Sequence, residues 1–268
     1  MKPLCIYHAD CADGFGAAYA AWKKFGNGAD YVACNYGRPP PAIEEGQDIY
    51  IVDFSFPRDT LMGMAPRAAK VVVLDHHKTA RDALAGEWPA SFDVRFDMTK
   101  SGARMAWEFF HESPPPRLIE YIEDRDLWLW KLPGSKAFSA ALRSYPFNFA
   151  IWDDFDVDAL IMEGRAIDRY VTQQVDGLAS LAQRAIVGGV SVPAINGPAF
   201  LASELGNKLA QGEPFAAIWS ASPKEMFWSL RSTDAGLDVS AIAKMYGGGG
   251  HRNAAGFSVP IERYSEFL

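Results

Sequence analysis

The chain has 268 residues, room for one large domain or two modest ones at about 150 residues per domain. With 49% apolar, 13% aromatic and 22% charged residues it can bury a core and is not a disordered tail. A net charge of −7 disfavours grip on long nucleic acid, which rests on many Lys/Arg–phosphate contacts, and leaves a small anion in one locally basic pocket open.

The first part alternates strands and helices. Leu4–Tyr7 predicts a strand, Phe15–Phe25 an Ala-rich helix and Tyr31–Cys34 a second strand. Ile49–Val52 and Val71–Leu74 are compact β-branched runs, with a short helix opened by Pro57 between them. Such near-continuous apolar strands predict an α/β fold with a mostly parallel, helix-covered sheet, whose ligands gather at the carboxyl ends of its strands. Ser101–Trp130 turns helical, and Asp158–Val187 has no proline and an apolar stripe, predicting a long linker helix. From Gly188-Gly189 onward a second, smaller α/β domain is expected. The boundaries are therefore 1–157, 158–187 and 188–268. The three cysteines (Cys5, Cys11 and Cys34) form no disulfide framework, and no apolar run nears the roughly 18 residues of a membrane span. With no secretory segment at the start, a cytoplasmic protein is expected.

Four polar clusters fall at strand ends or helix starts: His8-Ala-Asp10-Cys11-Ala-Asp13-Gly14, Asp53, Asp75-His76-His77 and Glu123-Asp124-Arg125-Asp126. Two histidines and an acid directly after a buried strand are hard to explain by packing, since polar groups there need partners. Mixed Asp/His sets suit Mn²⁺ better than the all-oxygen sites of Mg²⁺. The acids and histidines suffice for two ions, the arrangement that activates water for in-line phosphoryl displacement. Near the end, Gly247-Gly248-Gly249-Gly250-His251-Arg252-Asn253 frees the backbone to aim N–H groups at one anion, with Arg231 adding charge.

Asp75-His76-His77 resembles the name-giving motif of the DHH phosphoesterases, and the Gly-Gly-Gly-His run resembles the signature of the DHH-associated C-terminal domain. The resemblance covers nearly the whole chain and five ordered motifs. It implies that His8 and Asp53 bind a first metal, and that Asp13, Asp53, His76 and Asp124 bind a second, with Asp53 bridging. It implies His77 facing the substrate phosphate and Asp75 orienting a histidine. Asp126 is the weaker candidate, since Asp124 fits the motif's leading acid. Arg231, Gly249, Gly250, His251 and Asn253 would hold a phosphate. The family's usual Asp-x-Asp reads Cys11-Ala12-Asp13 here, so either Asp10 reaches in by a local shift, Cys11 ligates as thiolate, or the first metal is weak. Asp10 is slightly favoured, because oxygen suits Mn²⁺ better than sulfur does.

The function implied is a metal-dependent phosphodiesterase acting on short oligonucleotides or dinucleotides through a water activated by two Mn²⁺ ions, with Mg²⁺ as the alternative metal. Two other functions remain: an exopolyphosphatase or pyrophosphatase, and a non-catalytic nucleotide sensor. The expected partner is a small phosphorylated substrate, with no membrane and no long nucleic acid, and a homodimer stays open. Trp128, Trp130, Phe54 and Phe56 flank the expected site and could stack a base or pack in the core.

Overall fold

A computed structural model of the chain describes residues 1–267. The chain divides into two units, Met1–Asp168 and Arg169–Leu268. In the first, β1 (Leu4–His8) leads into α1 (Ala12–Phe25), followed by β2 (Asp30–Cys34), β3 (Gln47–Val52), α2 (Arg58–Met64), β4 (Ala68–Asp75), α3 (Lys78–Ala83) and β5 (Phe92–Phe96). Then come α4 (Gly102–Phe110), α5 (Arg117–Asp126), α6 (Ser135–Leu142), α7 (Phe149–Asp153) and α8 (Val157–Ala179), whose residues after Asp168 belong to the second unit.

The expected parallel sheet is there, in the order β2-β1-β3-β4-β5. Its central strands are apolar on both faces because helices cover both. Cys5, Val52, Val72 and Leu74 point to one core with Ala17, Ala21, Ala103 and Ala106 of α1 and α4. Ile6, Ile49, Ile51, Val71 and Val73 point to the other, with Leu61 and Met64 of α2. Strand β2 lies on one side of β1 and β3 on the other. The strand order therefore reverses beside β1, and a crevice opens at such a switch point outside the carboxyl ends. His8 ends β1, Asp53 follows β3 and Asp75 ends β4, so the three meet there.

In the second unit β6 (Gln183–Val187), β7 (Val190–Asn196), α9 (Ala202–Leu209), β8 (Ala216–Ala221), β9 (Glu225–Arg231), α10 (Val239–Met245), β10 (Gly249–Gly250) and β11 (Ala254–Pro260) follow in order. They form a mixed sheet, β10-β11-β9-β8-β7-β6, in which only β7 and β8 pair in parallel, joined across α9. The expected linker helix stops at Ala179, short of Val187. Residues 184–187 alternate, with Ala185 and Val187 buried and Arg184 and Ile186 exposed, the period of two that a strand has. Gly188 and Gly189 (φ 58° and 78°) make the tight turn from β6 into β7 instead of a domain boundary. Among the described residues, no helix is long and apolar enough to cross a membrane.

Candidate metal centre

The turn after β1 sets up the first two motifs. Cys11 caps α1, its Sγ accepting the Gly14 N–H at 3.1 Å, and Asp13 lies in the helix's first turn. A side chain on Gly14 would put Cβ 2.2 Å from the His8 carbonyl oxygen, so only glycine lets α1 start this close to β1. The N-terminus of α4 holds Asp13: the Gly102 and Ala103 N–H groups donate to its carboxylate at 2.6 and 3.0 Å. Asp53 sits in the left-handed region (φ 61°) and donates its N–H to the Leu74 carbonyl at 2.9 Å. A Cβ on Gly102 would fall 2.5 Å from Asp53 Oδ1, so this glycine too is required by the site. Asp75, fully buried, accepts the His76 and His77 N–H groups and, at 2.7 Å, Nδ1 of His77 through Oδ1.

Within the first unit the donors form two adjacent sets. His8, Cys11 and Asp53 each offer an atom within 4.8 Å of the others, and so do Asp13, His76 and Asp126. Asp53 faces both sets. Its Oδ2 lies 3.5 Å from His8 Nδ1 and 3.3 Å from Cys11 Sγ, while its Oδ1 lies 3.1 Å from His76 Nε2. His76 Nε2 is also 3.5 Å from Asp13 Oδ2 and 3.6 Å from Asp126 Oδ2.

Electrostatically the cluster is short of positive charge. Burial, then the charges of Asp53 and Asp126, push the Asp13 carboxyl well above the usual carboxylate range. For Asp53 burial acts in the same direction, but the approach of His76 and His8 outweighs it and holds the carboxyl well below its usual value. Burial disfavours an imidazolium at His76, yet Asp53, Asp126 and Asp13 together push it up to about 11. Asp53 Oδ1 is buried, and besides the ion-pair approach of His76 no group donates to it in good geometry among the described residues. Buried carboxylates with an unsatisfied oxygen are costly unless a cation pairs with them. Carboxylate, imidazole and thiol donors in two sets suit borderline divalent ions, so the residues present fit the metals that the resemblance implies.

Two expected ligands stand elsewhere. Asp124 is buried, but its carboxylate accepts the Lys131 and Leu132 N–H groups at 2.8 and 3.3 Å, tying down the loop after α5. Asp126, on the last turn of α5, is the acid beside His76. Asp124→Ala would leave two N–H groups without their acceptor, at about 1–3 kcal/mol. The expected result is a lower melting temperature with metal content retained in the folded protein, whereas Asp126→Ala should lose metal; elemental analysis beside a thermal melt checks both. Asp10 turns away at φ 60°, is exposed and accepts from Asn35 Nδ2 at 3.1 Å. Cys11 stands where Asp10 was favoured.

Among the aromatic residues, Phe54 and Phe56 are buried in the α2-side core and offer no base platform. Trp128 and Trp130 pair edge to face at 4.8 Å, both with left-handed backbone, and Arg125 lies over the Trp128 ring at 4.6 Å. The sequence does not single out Tyr36. The residue is 51% exposed, and its ring lies edge to face with the rings of His8, His77 and Phe54 at 5.4, 5.8 and 5.9 Å. Only its place, two residues after a strand that ends beside β1, could have pointed to it.

In the second unit the Gly-rich run turns into a strand pair. Gly249 and Gly250 form β10 against Gly256 and Ala255. A Cβ on Gly248 would meet the Gly256 carbonyl oxygen at 2.1 Å, so close backbone packing requires part of the run. His251 turns the chain, its N–H donating to the Ala254 carbonyl at 2.8 Å. Arg231 pairs with Ala254 in the ladder and donates to Ser203 Oγ at 3.0 Å. The Asn253 side chain is tied to Asp234 and Arg252. Arg231 and the 251–254 turn are thus neighbours in this unit, with Gly249 and Gly250 just before the turn.

The fold and this site define a class: an α/β protein whose parallel sheet carries a divalent-cation donor cluster at its switch point. The DHHA1 domain model matches residues 199–268. The uncharacterized protein R106 of Acanthamoeba polyphaga mimivirus is 32% identical, covering 95% of this chain and 67% of its own. The oligoribonuclease NrnB of Bacillus subtilis is 29% identical, covering 74% of this chain and 55% of its own. The chain thus spans about two thirds of the first relative's length and about half of the second's. Among solved structures, the pGpG-specific phosphodiesterase PggH of Vibrio cholerae shares the fold, with a TM-score of 0.53 at 13% identity over 99% of this chain and 96% of its own. The chain belongs to the DHH phosphoesterase superfamily and carries a DHHA1 domain.

Proposed function

We propose that this chain is a Mn²⁺-dependent phosphodiesterase that hydrolyses short oligonucleotides or dinucleotides. The observation that carries the reading is the position of Asp53, one oxygen beside His8 and Cys11 and the other beside His76. Its kinship with NrnB, an oligoribonuclease by name, supports the substrate class. On this reading the first unit is catalytic, the second binds substrate, and the protein is cytoplasmic.

His8, Cys11 and Asp53 would hold one ion, and Asp13, His76, Asp126 and Asp53 the other. Bound there, the ions supply an activated water and neutralise charge at the phosphoryl group. Asp75 holds the Nδ1–H of His77 and favours its imidazolium form, in which Nε2 is the atom that presents a proton to the leaving oxygen. The buried position of Asp75 keeps that orientation rigid. Arg231, Gly249, Gly250, His251 and Asn253 would hold a second phosphate, using binding energy remote from the reacting centre to orient it.

The test is a substrate panel in Mn²⁺, with and without chelator: dinucleotides, 5-mers, long single strands, cyclic dinucleotides and polyphosphate. Dinucleotides and 5-mers should be cleaved fastest, and chelation should stop the reaction. Faster release of phosphate from polyphosphate than cleavage of any dinucleotide would overturn the reading.

A further inference from the structure

Tyr36 belongs to a turn that the site holds in place without using it as a ligand. The Arg38 N–H closes the turn on the Asn35 carbonyl at 3.2 Å, and Gly37 takes φ 76°. Asn35 in turn donates to Asp10 at 3.1 Å, which ties this turn to the one bearing His8 and Cys11. The Tyr36 ring is thereby set edge to face against both His8 and His77, at 5.4 and 5.8 Å. Tyr36 is also 51% exposed, so it stands against two side chains of the cluster and still meets solvent. Among the described residues, no side chain or carbonyl accepts a hydrogen bond from it.

A phosphoryl anion entering an acidic recess needs donors as well as cations. A lysine or arginine at this place would be drawn to the carboxylates of the cluster, Asp53 among them, and compete with a metal ion for their oxygens. A phenol donates one hydrogen bond while carrying no charge, so it can meet an anion without disturbing the carboxylates. We propose that the Tyr36 hydroxyl donates a hydrogen bond to a phosphoryl oxygen of the substrate, which makes Tyr36 a substrate-contacting residue of this site. The assignment rests on the phosphodiesterase reading.

Tyr36→Phe removes the hydroxyl and keeps the ring against His8, His77 and Phe54. If the bond forms as the reaction proceeds, kcat on a dinucleotide should fall about 10- to 100-fold, the size of one hydrogen bond to a charged group. Mn²⁺ content should stay close to wild type. A second readout does not need turnover: titration of inorganic phosphate into the Mn²⁺-loaded protein should show weaker binding in Tyr36→Phe, with a chelated sample as blank. An unchanged kcat together with unchanged phosphate affinity overturns the assignment. A wild type that cleaves no diester overturns the proposed function instead, and the phosphate titration then decides Tyr36 alone. Equal loss of Mn²⁺ and of activity in Tyr36→Phe would mean that the residue supports the ligands and does not touch substrate, which also overturns it.

Discussion

Asp53→Ala is expected to abolish turnover and to leave the protein unable to retain either metal ion through dialysis. Among the described residues Asp53 is the side chain that faces both donor sets, with Oδ2 near His8 and Cys11 and Oδ1 near His76. Loss of activity should reach about 10³-fold or more, because bound metal ions contribute several kcal/mol of charge stabilisation to phosphoryl transfer. One complication is the backbone, since φ at this position is 61° and alanine is strained there. Asn tolerates that conformation and matches the carboxylate in shape. Asp53→Asn should therefore fold like wild type and still lose the ions, which separates ligand loss from backbone strain. His77→Ala gives the contrast: its Nδ1 is committed to Asp75, it stands outside both donor sets formed with Asp53 and Asp126, and its loss should cut turnover while sparing metal. Elemental analysis of the dialysed variants beside their rates decides the matter. Equal metal loss in the Asp53 and His77 variants would show that the ligand sets are misassigned.

Much of this was legible in the sequence because it depends on local pattern. The β-branched run Val71–Leu74 reads as a strand buried on both faces, and a parallel sheet sends the residue after such a strand to the ligand edge. That logic puts Asp53 and Asp75-His76-His77 at the carboxyl ends of β3 and β4, which is where they lie in the structure. Strand β5 carries no such signal, because Phe92–Phe96 is an edge strand in which Asp93 and Arg95 interrupt the apolar run. Choosing between Asp124 and Asp126 was beyond any local rule. Two residues two apart on a helix point roughly 200° from each other, so one acid must face away from the other's partner. Which of them meets His76 depends on how α5 packs, and Asp124 is instead spent on the loop that follows. The same holds for Phe54 and Phe56, whose proximity to Asp53 along the chain says nothing about the side of the sheet they enter.

Cys11 poses the last case of this kind, and it carries the second large expected effect. The turn after β1 sends Asp10 outward at φ 60°, where Asn35 takes its carboxylate, and brings the Cys11 thiol within 3.3 Å of Asp53 and 3.6 Å of His8. Cys11 also caps α1, so its replacement acts on two quantities at once. Cys11→Ala removes both donor and cap: about 1 kcal/mol of stability should go with the cap. Affinity for one ion should fall by at least the ~10–100-fold that loss of a supporting partner costs at metal sites. Cys11→Ser restores the cap, since a hydroxyl accepts the same N–H, but supplies a poorer ligand, so stability should recover while the ion stays weak. Cys11→Asp supplies both a cap and a carboxylate; it should bind two ions and shift the preference of that set toward harder cations such as Mg²⁺. Asp10→Ala should leave metal binding as it is, because its carboxylate is exposed and engaged with Asn35. Metal titrations of the four variants, paired with thermal melts, resolve the two effects. If Asp10→Ala loses an ion and Cys11→Ser does not, the oxygen donor reaches the site by a movement of this turn, and the thiol serves only as the helix cap.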